Sequence, residues 1–149
     1  MRLNDYYPSV FRMSLGVNAL VSWYNAMNDP NSGLWRIGRH EYGGTLLWFM
    51  GFLGAVIAID VLLNDWTPQR FRIGPLNIKL HWPKIWRQRH WLFVGTAICY
   101  AGQPYVAVMG GYGVSLQVYF YTCALTNLAV AFMDAADRSR SQGWEKAYK

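Results

Sequence analysis

The sequence predicts an all-α integral membrane protein, with three transmembrane helices and an N-terminal helix that is either amphipathic or a short fourth span. Three observations predict it. Charged residues make up only 15% of the 149 residues and apolar residues 53%, against about 25% charged in an average soluble domain. The charges are also gathered into blocks, so that Trp91 to Met133 holds no Asp, Glu, Lys or Arg. Finally, the basic residues border the apolar runs, where a bilayer places them. A chain of this length suits one compact unit.

Residues 1–42 form the N-terminal region. Val10, Met13, Val17, Leu20, Val21 and Tyr24 recur at helical spacing, and Arg12, Asn18, Ser22 and Asn25 lie largely away from them. That pattern suits a helix lying on the membrane surface, with a poor fourth span as the alternative. Asn28 to Gly33 reads as a loop. The opening MRLNDYYPSVFR lacks the basic region and apolar core of a secretory signal.

Residues 43–133 form the membrane domain. The first span, 43–63, is interrupted only by Asp60, and about 20 residues cross a hydrocarbon core. Gly51 and Ala55, like Gly54 and Ala58, are four apart, a spacing that can form a close-packing face against another helix. The charge-free stretch from Trp91 is too long for one crossing and suits two, about 91–109 and 114–133, joined by a glycine turn at Gly110–Gly113. Gln103-Pro104 falls inside the first of these, where proline removes a helical hydrogen bond.

The loop between these spans, 64–90, is basic and aromatic. Phe71 and Ile73 precede a turn at Gly74–Asn77, Ile78, Leu80 and Trp82 follow it, and Arg70, Arg72, Lys79 and His81 occupy the other face. This is the pattern of a small β-hairpin with an apolar and a basic side, or of an irregular loop at the interface. Residues 134–149 form a polar tail that extends the last helix by a turn or two.

The loop from Thr67 to His90 carries six basic residues and no acid, and the outer flank of the first span carries Arg36 and Arg39. The positive-inside rule therefore puts the loop and the C-terminus in the cytoplasm. Trp82, Trp86 and Trp91 cluster near a predicted boundary, as an interfacial aromatic belt would. Arg70, Arg72, Lys79 and Lys84 are the candidates for binding a partner or anionic headgroups. The formal charge of +6 points to lipid rather than nucleic acid, because it borders apolar runs.

An ionisable residue inside a span is a functional suspect by default. Asp60, however, lies only about two residues, roughly 3 Å, from the end of the first span at helical rise. An interfacial ion pair with Arg87 or Arg89 is the expected role, with Asn64 on the same face; a transport site would lie deeper. Gln117, Thr122, Thr126 and Asn127 form a polar seam on the last span, for helix packing or for lining water in an oligomer. Cys99 and Cys123 read as small apolar filler. No histidine falls inside a predicted span, and no catalytic, phosphate-binding or metal-binding motif appears. The expectation is therefore no enzyme, no cofactor and no metal.

Three short spans, a tiny turn between the last two and a basic tail resemble the three-span holins of bacteriophages. The resemblance covers about residues 43–149 and is one of topology. It implies a phage protein that accumulates in the host inner membrane, self-associates as a homo-oligomer and permeabilises the membrane for lysis. The alternative is a non-enzymatic accessory protein whose loop 67–90 docks a membrane-protein partner or anionic lipid.

Overall fold

A computed structural model describes residues 3–66, 70–73, 76–79, 89–109, 111 and 113–147, with side chains for 8–65, 89–108, 111 and 113–137. Helix α1 runs Leu3–Asn28, α2 Gly33–Arg39, α3 Glu41–Asp60, α4 Arg89–Met109 and α5 Val114–Ala147. A π-helical segment, Val61–Trp66, continues α3 without a break. The long helices α1, α3, α4 and α5 run alternately up and down as a bundle. Arg70–Ile73 (β1) and Leu76–Lys79 (β2) pair antiparallel, with Arg70 opposite Lys79 and Phe71 opposite Ile78. Two helical stretches are long and apolar enough to cross a membrane, Glu41–Asp65 and Val114–Asp137.

The first turn of the chain is a sharp one. Asp29 accepts from the Asn31 N–H, and Ser32 caps α2 by accepting from the Leu34 N–H at 3.1 Å, as an N-cap residue does. Helix α2 then wedges against its neighbours on bare backbone. A Cβ on Gly38 would meet the Ala26 carbonyl oxygen at 2.9 Å, and one on Gly43 would collide with that of Ile37. The second turn holds Gly111 at φ 70, and its N–H donates to the Val108 carbonyl at 3.1 Å. Glycine adopts that left-handed conformation at no steric cost.

Helix α1 corrects the expectation of a surface helix. It packs along α3, with Leu15, Ala19 and Ala26 in the core. Its polar side is the buried one: Ser9 and Ser22 are buried, whereas Val10, Phe11, Val17, Val21 and Tyr24 point outward. The spacing is helical, as the sequence predicts, but the faces are reversed. In water an apolar stripe seeks the core, but in a bundle with an apolar exterior the polar stripe does.

Gly16 and Gly54 meet where α1 crosses α3. A Cβ on Gly54 would lie 2.7 Å from the Gly16 carbonyl oxygen and 2.8 Å from the Ala19 Cβ. Gly51 makes room for the Trp23 ring, whose Cγ would sit 2.5 Å from an added Cβ. Ala58 is buried and Ala55 half-buried. Helix α4 runs unbroken through Pro104 and packs on both α3 and α5. Helix α5 continues to Ala147, well beyond the turn or two expected after Met133. Ala, Arg, Glu and Lys in that stretch are good helix formers, which accounts for its length.

Candidate functional site

The polar side chains of the bundle gather at two levels. At the end where α1 begins and α5 passes Asp134, five charged groups from four helices converge. Arg89 of α4 donates from both terminal nitrogens to Asp65, at 3.1 and 3.0 Å. Its Nε lies 3.2 Å from Asp60 Oδ2. Arg12 of α1 donates through Nε to Asp134 Oδ1 at 3.0 Å, and its Nη2 pairs with the same oxygen. Arg12 Nη1 also lies 3.6 Å from Asp65. Neutral donors complete the shell: Ser9 to Asp65 at 2.9 Å and Asn64 to Asp60 at 2.6 Å. Asp60 is 4% exposed and Asp134 8%.

The π-helical segment explains how one arginine meets two carboxylates of one helix. At 3.6 residues per turn, position 65 would lie about 140° around the axis from position 60. The wider i→i+5 turn from Val61 to Trp66 rotates Asp65 back towards the Asp60 face. The planar guanidinium of Arg89 then forms a fork on Asp65 and still reaches Asp60. Its bidentate geometry makes this a stronger and more directional contact than a point charge could give.

A second, neutral network lies further along the bundle. Asn18 of α1 donates to the Tyr100 hydroxyl at 3.0 Å and to Cys123 Sγ at 3.5 Å, and accepts from the Tyr119 hydroxyl at 3.2 Å. Ser22 and Tyr119 are joined at 3.0 Å. Tyr100 is fully buried and stands edge-on to Tyr119. Asn18→Leu should therefore loosen α1 from α4 and α5. Interhelical hydrogen bonds in membranes average about 0.6 kcal/mol, so losing these bonds should cost about 1–2 kcal/mol. Denaturant titration of helicity in mild detergent measures it, and an unchanged midpoint would count against the network.

The residues singled out from sequence divide as follows. Asp60, Asn64 and Arg89 come together in the charged cluster, while Arg87 lies outside the described residues. The remaining members, Arg12, Asp65 and Asp134, carry no local signal that pairs them with Asp60: the helical period puts Arg12 on a polar face, and no periodicity signals the π-turn that recruits Asp65. Gly51 and Gly54 face α1. The polar residues of α5 do not share one face. Asn127 is buried and donates to the Cys123 carbonyl, whereas Thr122 is exposed and Thr126 half-buried, each donating to its own helix four residues back. Gln117 is half-buried. Arg70, Arg72 and Lys79 lie on the strands, with only their backbone described, and Lys84 lies outside the described residues. Both cysteines are free thiols.

Large apolar side chains are exposed along the three later helices. Phe49, Phe52 and Ile59 on α3, Ile98 and Val108 on α4, and Val118, Leu125 and Phe132 on α5 are all exposed. Among the described residues no group of His, Cys, Asp and Glu is arranged to hold a metal ion. The chain matches no family model, no curated protein and no solved structure.

Proposed function

We propose that the chain is a four-span accessory protein of a bacterial inner membrane, with no catalytic role. Its task is to dock anionic lipid headgroups on its cytoplasmic face. The observation that carries this is the direction of the polar and small residues. Gly51 and Gly54 are closed against α1, and Ser9, Arg12 and Ser22 of α1, Asp60 of α3 and Arg89 of α4 point into the protomer. A pore-lining oligomer needs a polar face at the boundary between copies, and the large side chains exposed along α3, α4 and α5, such as Phe49, Phe52, Ile98, Leu125 and Phe132, are apolar. What this arrangement leaves for recognition is the loop.

Four spans put residues 1–9, the loop and the C-terminal tail on one side, together with most of the basic residues, as the positive-inside rule favours. The register of β1 and β2 supports an anionic ligand. Arg70 stands opposite Lys79, and like charges directly opposite each other destabilise a strand pair. An anionic headgroup relieves repulsion between paired basic positions, and each basic residue near an anionic surface contributes about 1 kcal/mol.

The test replaces Arg70, Arg72, Lys79 and Lys84 by glutamine. Native mass spectrometry of the purified protein should then show at least a tenfold loss of bound anionic phospholipid, with membrane insertion unchanged. Undiminished lipid binding would sink the proposal. Growth arrest with dye leakage on expression of the unaltered chain would favour holin-like permeabilisation instead.

A further inference from the structure

The end of the bundle away from the charged cluster carries two arginines. Arg36 and Arg39 sit in the last turn of α2 and are both exposed. At i and i+3 they are neighbours on the helix surface, where like charges repel. Among the described residues every ion pair belongs to the cluster at the other end. The acids near α2 are Asp29, which accepts from the Asn31 N–H, and Glu41, which opens α3; neither pairs with a guanidinium. A Cβ on Gly33 would touch Leu116, so the turn between α4 and α5 reaches the same level, and Gly110–Gly113 holds no charged residue. The loop 67–88, which holds no acid, joins α3 and α4 at their other ends.

The two side chains stand on a fixed backbone. Leu34 and Ile37 anchor α2 in the core, and Gly38 lies so close to α1 that a Cβ there would meet the Ala26 carbonyl oxygen at 2.9 Å. The Arg39 guanidinium carbon lies 4.1 Å from the centre of the Trp35 ring. That cation–π contact uses the flat face of the guanidinium, and its N–H donors lie along the edge. Tyr24 near the end of α1, Tyr42 at the start of α3 and Tyr105 near the end of α4 are all exposed at this level. Such a ring of aromatic side chains sits at the headgroups of a bilayer. The arginines beside it are therefore at the depth of lipid phosphates.

We propose that Arg36 and Arg39 together hold the phosphate of an anionic phospholipid in the leaflet opposite the loop. A guanidinium edge matches phosphate oxygens in a two-pronged fork, and one anion between the two arginines offsets their repulsion. A zwitterionic headgroup fits less well, because it brings its own ammonium towards the pair. The site rests on the membrane-spanning reading of the chain and not on lipid binding by the loop. It is an open surface site that exchanges with bulk lipid, so its occupancy is read in a bilayer.

Arginine modification by phenylglyoxal, read residue by residue by mass spectrometry on the full chain in nanodiscs, tests the site. Arg36 and Arg39 should react about tenfold more slowly in phosphatidylglycerol than in phosphatidylcholine, as two basic contacts to a headgroup imply. Arg36→Gln should return Arg39 most of the way to its rate in phosphatidylcholine, because the pair acts as one site. Equal rates in the two lipids, or an Arg39 still fully protected in Arg36→Gln, would overturn the proposal. So would equal protection by inorganic phosphate added to phosphatidylcholine nanodiscs, which would make the ligand a soluble anion. Protection should persist when Arg70, Arg72, Lys79 and Lys84 are glutamine; its loss there would mean that the loop, and not α2, recruits the lipid.

Discussion

Arg89→Met should destabilise the folded bundle by about 3–5 kcal/mol, the usual cost of removing one partner from a buried ion pair. Methionine keeps much of the side-chain length, so the loss is of charge and donors rather than of volume. Asp60 and Asp65 would face each other with Arg12 as their remaining described cation, and Asp65 would lose both arms of its fork. Adding Asp65→Asn should recover part of the loss, because it removes one of the stranded charges. A double-mutant cycle on unfolding midpoints in mild detergent measures the coupling. A single variant as stable as the parent would show that the cluster does not hold α3 to α4.

Gly54→Val should be nearly as damaging, at about 3 kcal/mol, for a steric reason. The first carbon of the new side chain would already lie 2.7 Å from the Gly16 carbonyl oxygen and 2.8 Å from the Ala19 Cβ. Neither is the free end of a flexible chain, so the helices must separate, and close backbone approach is what small residues supply between membrane helices. Gly33→Ala is the matched control, since its nearest neighbour would be Leu116 Cδ2 at 3.6 Å. The same experiment separates internal from external use of this face. Loss of the monomer's own fold is expected. A folded monomer that merely loses self-association would mean that Gly54 serves a second copy.

Much of the scaffold can be read from the chain because it rests on long apolar runs. Helices α3, α4 and α5 follow from the scarcity of charge, and the glycine turn before Val114 follows from the length of the last charge-free stretch. Asp60 near a helix end, with Asn64 on its face and Arg89 in reach, is also legible, since counting at helical rise is enough. Helix α1 is less so. Its period is clear, but a period does not say whether the polar or the apolar stripe faces inward; that depends on the solvent around the finished bundle. Asp65 is hidden for a different reason: it joins the site only because the helix widens after Asp60, and a 3.6-residue pattern places it elsewhere. Arg12 and Asp134 come from opposite ends of the sequence, and nothing local pairs them.

That last pairing constrains how the protein is made. Arg12 is synthesised 122 residues before the aspartate that receives its guanidinium. Until α5 emerges, α1 carries a cation without its main acceptor, and α3 with its π-segment carries two acids that still await α4. The order of translation is therefore the reverse of the order of electrostatic satisfaction: the first helix made is the last to be fully neutralised. A ribosome-stalled chain ending before Asp134 should hold α1 loosely, and completion of α5 should lock it.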